Sequence, residues 1–230
     1  MIRIDVKVPT PPAPRGIFFE AAVNTMKRQH AFAYFVFYKP YGVLCQFTDT
    51  GGRPTLSSYG PFPKDVYSVG RLDADSEGLL LLTNDNSMKH HLLDPGFGHD
   101  RTYLVQVEHI PGQDALAQLR EGVVIEGRRT KRAHVRLLST PPTVPQRSVP
   151  IRFRKNVPTA WIELTLTEGR NRQVRKMTAS VGHPTLRLIR TSFGPLTLEG
   201  LAPGESRRLR TSELDVLLSE ITRSAQRRSS

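Results

Sequence analysis

Gly70-Arg71-Leu72-Asp73-Ala74-Asp75-Ser76-Glu77-Gly78, followed at once by Leu79-Leu80-Leu81-Leu82-Thr83-Asn84-Asp85, is the stretch on which the reading of this chain turns. An arginine, three acids and two glycines lie between two short apolar runs, Val66–Val69 and Leu79–Leu82. The pattern predicts strand, tight polar loop, strand. Such a loop presents carboxylates to a cleft from a rigid support, which is where reactive groups are commonly carried. Asp73 follows the apolar Leu72 and stands two residues from Arg71, so it is the foremost candidate for a chemical group. A solvated turn is the plain alternative. Calcium is another, since Asp73, Asp75, Glu77 and Gly78 match the opening positions of an EF-hand loop, but Asn84 stands where that loop needs its bidentate Glu.

The chain has 230 residues, 38% of them hydrophobic, enough for one moderately large domain or two small ones. Its 33 basic and 21 acidic side chains give a net charge of +12. That excess favours a polyanionic partner through phosphate neutralisation. Nucleic acid is preferred to a membrane, because no long apolar segment or lipid-facing amphipathic stripe is present in the sequence. A single cysteine, Cys45, excludes an internal disulfide and fits a reducing, cytoplasmic setting. No export signal opens the chain.

Residues 1–30, with Pro9, Pro11, Pro12 and Pro14, are expected to form a weakly ordered leader with a short helix at Ile17–Val23. An ordered body follows over residues 31–222, and residues 223–230 form a basic, frayed tail. Expected strands are Phe32–Tyr38, Val66–Val69, Leu79–Leu82, Arg101–Glu108, Trp161–Thr167 and Thr185–Arg190. Val123–Ile125 and His134–Leu138 are read as a strand pair around the basic turn Arg128–Arg132. Helices are expected from a Ser87 cap to Leu93, over Gln113–Arg120, over Asn171–Val181 with Gly182 at C′, and over Ser212–Ile221 with a capping box to Asp215. Strands with interspersed helices, without regular alternation, predict an α+β fold with a mostly antiparallel or mixed sheet. No dinucleotide or Walker loop, zinc spacing or nucleophile elbow is present.

A second constellation is Glu168-Gly169-Arg170-Asn171-Arg172-Gln173-Val174-Arg175-Lys176-Met177. On a helical period Val174, Met177 and Val181 point inward, and Arg175 lies about 100° round from Val174, at the edge of the buried face. A solvated basic face would account for the charge. Four cations at the start of a helix nevertheless oppose its macrodipole, which points to an anionic ligand or a buried carboxylate nearby.

Lys39-Pro40-Tyr41-Gly42-Val43-Leu44, Gly70–Asp85, Tyr103-Leu104-Val105-Gln106-Val107, Glu168–Met177 and Gly182–Arg190 together resemble the ordered motifs of the RsuA-type family of pseudouridine synthases, over about Phe32 to Arg210. Val149–Arg152 and Lys155–Thr159 are similar to a branch of that family acting on large-subunit (23S) ribosomal RNA. One departure is Tyr38, where the family usually carries Asn before Lys39-Pro40. The resemblance implies a catalytic domain of two subdomains flanking an RNA-binding cleft, here without the separate N-terminal RNA-binding domain common in the family. It implies an isomerase, free of cofactor and metal, that breaks a uridine glycosidic bond and rejoins the base through carbon.

By the same resemblance, Asp73 is the catalytic aspartate, Tyr103 the base-stacking tyrosine and Arg175 the arginine paired with Asp73. The paired guanidinium would keep Asp73 ionised as a nucleophile. Lys39, Arg71, Arg170, Arg172 and Lys176, with Arg152 and Arg154, are expected to contact RNA. The expected partner is 23S ribosomal RNA, free or in early assembly, met by a monomer in the cytoplasm. The contrasting reading is a catalytically silent RNA-binding or ribosome-assembly protein using the same basic face.

Overall fold

A computed structural model describes residues 32–94, 96, 98–151 and 156–229. The expected leader and the Ile17–Val23 helix lie outside the described residues. The aromatic run becomes β1 (Tyr34–Lys39) and the leucine run becomes β3 (Glu77–Thr83), paired antiparallel. Every residue of β3 is buried. Leu80 and Leu82 enter one core cluster while Leu79 and Leu81 enter the other, so this strand reads as an unbroken apolar run because both sheet faces are covered. The run Val66–Val69 contributes only the two-residue β2 (Tyr67–Ser68), antiparallel to β3. The acidic loop therefore joins the two strands of a hairpin, as expected.

Five further strands complete the path of the main sheet: β4 (Arg101–Glu108), β7 (His134–Leu137), β8 (Thr159–Leu166), β9 (Thr185–Phe193) and β11 (Ser206–Arg208). Their order is β11-β1-β3-β9-β4-β8-β7, with β2 and the short β10 (Leu196–Thr197) paired at the side. Along that path only β3 and β9 pair parallel, so the sheet is mixed and mostly antiparallel. Two substructures meet at this junction, β11-β1-β3 and β9-β4-β8-β7. Gly78 makes the close approach possible: at φ +111, a Cβ there would stand 2.2 Å from the Arg190 carbonyl oxygen. Beside it Arg187 clamps Glu77 through two buried hydrogen bonds of 2.8 and 2.7 Å.

Helices cover both faces. Leu116 and Leu119 of α2 (Gln113–Glu121) and Val174 and Met177 of α3 (Gln173–Ser180) fill the first cluster. Met88 and Leu92 of α1 (Asn86–Leu93) and Leu214 and Leu217 of α4 (Thr211–Ser229) fill the second. The fold is α+β, as expected.

Several local expectations are corrected. Asp85, not Ser87, caps α1 by accepting the Met88 N–H. Val124–Ile125 (β5) pairs with Arg128–Arg129 (β6) in a hairpin of its own, whereas β7 pairs with β8. The basic turn is thus split, because Gly127 at φ +75 allows reversal three residues earlier than the charge run suggested. α3 begins at Gln173 instead of Asn171, since Arg172 adopts φ 50, outside helical geometry. It ends as expected in a Schellman turn, with Gly182 at φ +84 donating to Ala179 O and His183 N–H to Thr178 O. At the start of α4 it is Glu213 that reaches back to the Arg210 N–H. That helix does not stop at Ile221 but continues to Ser229.

Candidate active site

The Asp73 loop is held from several sides. Ser76 N–H donates to Asp73 O, closing a turn over Asp73–Ser76. Gly42 N–H donates to Ala74 O at 2.7 Å. The Cys45 thiol donates to Leu72 O, and the Leu72 N–H returns a bond to the sulfur. Burial pushes that thiol up, so it stays protonated as a donor.

Lys39 completes this anchorage. Its Nζ donates to Val43 O at 2.8 Å, Pro40 O at 2.9 Å and Ala74 O at 3.4 Å, tying the loop after β1 to the loop that carries Asp73. The side chain is wholly buried, so it does not reach RNA as expected of it. Burial brings its pKa from 10.5 down to about 8. The sequence offered little warning, because a lysine at the end of an apolar strand normally snorkels to solvent.

Asp73 lies on a cavity of about 630 Å³ whose lining includes Arg71, Tyr103, Arg170, Arg172 and Leu188. Tyr103 comes from β4 and Leu188 from β9, so the second substructure supplies the wall facing the loop. Tyr103 is buried among Val105, Leu164 and Leu188 and also borders the cavity. Five arginines line the cavity against two carboxylates, Asp73 and Glu168. A cationic chamber of this size suits one nucleotide unit.

The arginine beside Asp73 is Arg172, with Nη1 3.3 Å from Oδ2. Arg175, expected to pair with Asp73, instead places its Nε 3.4 Å from the Asp75 carboxylate and donates from Nη2 to Asp75 O at 2.7 Å. Arg172 precedes the helix with its backbone in the left-handed region at φ 50, whereas Arg175 lies within α3. Positive φ in a non-glycine residue costs of order 1–3 kcal/mol and is often retained at functional positions. Arg175 borders a second cavity of about 240 Å³ with Tyr41, Asp75 and Arg147. Burial pushes the Asp75 carboxyl up, but the Arg172 hydrogen bonds and the charges of Arg175 and Arg172 outweigh it and hold the group below the ordinary carboxylate range.

The remaining basic residues divide. Arg71 is exposed at the cavity. Arg170 spends its guanidinium on Arg128 O and Ile125 O, binding the β5–β6 hairpin to the start of α3. Lys176 pairs with Glu126 at 2.6 Å. Arg152 and Arg154 lie outside the described residues. Arginines pair with the carboxylates of the acidic loop: Arg172 with Asp73 and Asp75, Arg175 with Asp75, and Arg187 with Glu77. Among the described residues no three His, Cys, Asp or Glu side chains are grouped to hold a metal ion. No helix among them is long and apolar enough to cross a membrane.

A mixed sheet with an aspartate loop at its parallel junction, facing a tyrosine from the next strand, defines a recognised class. The sequence profile for RNA pseudouridylate synthase matches residues 33–180, and the chain belongs to that family. Among curated relatives, it is 53% identical over 167 residues to ribosomal large subunit pseudouridine synthase E of Xanthomonas axonopodis pv. citri (strain 306), an alignment covering 72% of this chain and 87% of that one. It is 37% identical to ribosomal large subunit pseudouridine synthase B of Bacillus subtilis (strain 168), over 79% of this chain and 69% of the relative. A crystal structure of a pseudouridylate synthase superposes with a TM-score of 0.68 at 30% identity, covering 81% of this chain and 74% of that one.

Proposed function

We propose that this pseudouridine synthase converts one uridine of large-subunit (23S) ribosomal RNA to pseudouridine, with Asp73 as nucleophile. The observation that carries the assignment is the placement of the Asp73 carboxylate 3.3 Å from Arg172 on a cavity of about 630 Å³ bordered by Tyr103. The substrate follows from the relatives' names, and the protein acts as a cytoplasmic monomer on free or early-assembling RNA.

The target base leaves its stack, at a cost of a few kcal/mol. Stacking on Tyr103, roughly 1–3 kcal/mol, and phosphate contacts to exposed cations offset that cost. Asp73 adds to C6 of the ring or to C1′ of the sugar. The N1–C1′ bond breaks, the base turns within the cavity, and C5 bonds to C1′. The bond between Asp73 and C6 or C1′ then breaks, returning the free carboxylate. The C5 proton is lost and N1 gains one, so the atoms balance without a co-reactant. Arg172 orients the carboxylate, and Arg175 positions the loop through Asp75.

The test is a reaction on protein-free 23S transcript in excess EDTA, followed by mapping of pseudouridine. One modified uridine is expected for the wild type and none for Asp73→Asn, which should bind RNA with similar affinity. Modification by the variant at near wild-type rate would overturn the nucleophile assignment. A site in small-subunit or transfer RNA would overturn the substrate.

A further inference from the structure

Two arginines of the cavity, Arg101 and Arg190, take no part in the chemistry above. Both guanidinium groups approach the Phe193 ring, at 5.0 and 5.5 Å from its centroid. Among the described residues Arg101 donates only to the carbonyls of His99 and Leu92, and Arg190 donates through Nε to Leu79 O. Arg190 is 4% exposed, and its Nη2 has no hydrogen-bond partner. Among the described residues no carboxylate forms an ion pair with either one. A buried guanidinium with an unbonded donor beside a second, half-buried arginine is unfavourable unless an anion joins them. Burial, and to a lesser degree the charge of Arg190, pull the Arg101 pKa down against the opposing influence of Tyr103 and Asp100.

Strand geometry states where that anion belongs. Arg101 and Tyr103 are two residues apart on β4 and so share a face, separated by about 6.6 Å. That is comparable to the span between a nucleobase and a phosphate of the same nucleotide. A register shift between Thr102 and Tyr103 leaves Thr191 unpaired with β4 and sets Arg190 directly opposite Tyr103. Resting on the assignment of Tyr103 as the stacking residue, we propose that Arg101, backed by Arg190, forms a subsite for a phosphodiester of the flipped nucleotide itself. The subsite would anchor the backbone while the base is free to turn.

The experiment compares three short RNAs that contain the mapped uridine: one unmodified, one with a methylphosphonate on its 5′ side and one with a methylphosphonate on its 3′ side. All three carry 2′-O-methyl at the adjoining sugars. Affinities are measured for the wild type, Arg101→Gln and Arg101→Lys, with thermal melts confirming that each is folded. Neutralising one of the two phosphates should weaken wild-type binding roughly tenfold, as expected for loss of a charge-assisted contact. The same change should cost Arg101→Gln less than twofold, and Arg101→Lys should regain sensitivity to it. If the losses from the protein and RNA changes multiply at both phosphates, the subsite is wrong. Because the readout is binding, it decides the question independently of turnover. Modification of the unmodified RNA by Asp73→Asn at near wild-type rate would count against the Asp73 assignment alone and leave the subsite standing.

Discussion

The guanidinium of Arg172 spans the two aspartates of the acidic loop but is fastened to Asp75, with hydrogen bonds of 3.1 and 2.9 Å to its two carboxylate oxygens. Asp73 receives a single, longer approach of 3.3 Å. A bidentate guanidinium–carboxylate pair is strong and directional, so Asp75 sets the orientation in which Arg172 meets Asp73. The carboxylate proposed to react keeps coordination to spare, while its neighbour two residues on carries the structural bonds.

Asp75→Asn should therefore lower turnover by about 100-fold through misplacement of Arg172 and Arg175, while leaving RNA affinity nearly unchanged. Single-turnover kinetics at saturating RNA, beside a binding titration, check this. A turnover rate within twofold of wild type would show that Asp75 is dispensable. Its carboxyl is held below the ordinary range, so Asp75 stays ionised at neutral pH and any contribution it makes to stability is lost only as pH falls through that lowered value.

Arg172→Met and Arg175→Met should separate. Arg172 touches Asp73 and is exposed, so its loss should reduce both turnover and affinity. Arg175 touches the Asp75 backbone and Thr185 O from below the loop, so its loss should reduce turnover with little change in affinity. Equal losses of affinity, with unchanged turnover at saturation, would reverse these roles.

Lys39 should impose opposite pH dependences on activity and stability. Its pKa is lowered by burial from 10.5 to about 8, so between those values the unfolded chain holds the proton that the folded chain has released. Stability contributed by this group therefore rises with pH across that window and is lower below about pH 8. Activity should instead decline above about pH 8, as the ammonium that holds three loop carbonyls loses a donor. Urea melts and single-turnover rates from pH 7 to 10, values chosen to bracket about 8, measure the two trends. Lys39→Met should cost about 1–3 kcal/mol for each carbonyl left buried without a partner.

Gly78→Ala should unfold the protein or destabilise it by at least about 3 kcal/mol, because the new methyl would overlap the Arg190 backbone at the parallel junction. Removing one partner of the buried Glu77–Arg187 pair, as in Arg187→Met, should cost about 3–5 kcal/mol. Denaturant unfolding measures both. A stable Gly78→Ala protein would mean that the two strands can separate without loss of the fold.

RNA affinity should fall steeply with salt, with a log–log slope of about −0.7 for each phosphate neutralised on single-stranded RNA. Arg128→Gln and Arg129→Gln on the exposed β5–β6 hairpin should each make that slope shallower. A slope near zero across a salt titration would assign the +12 charge to another purpose.

Much of this molecule is written in short windows of sequence. Alternation over Arg101–Glu108 specifies β4 with Tyr103, Val105 and Val107 on one face, and the continuous run Leu79–Leu82 specifies a strand covered on both sides. The glycine-bounded acidic loop and the basic helix start, with Gly182 as its stop, are likewise local patterns. They suffice for an α+β fold and for marking the acidic loop and the basic helix start as candidate site segments, whereas the grouping of Asp73 with Tyr103 was implied by the family resemblance. Which charge meets which is not local. Asp75 and Arg172 are 97 residues apart, and their pairing depends on the parallel junction at Gly78 and on one non-helical residue before α3. Lys39 turned inward because three carbonyls from two loops converge on it, and Arg190 faces Tyr103 because one register shift moved the pairing by a residue. Periodicity in the chain sets which face a side chain occupies. Only strand order, register and loop closure bring distant polar groups within bonding distance, and those exist only in the assembled sheet.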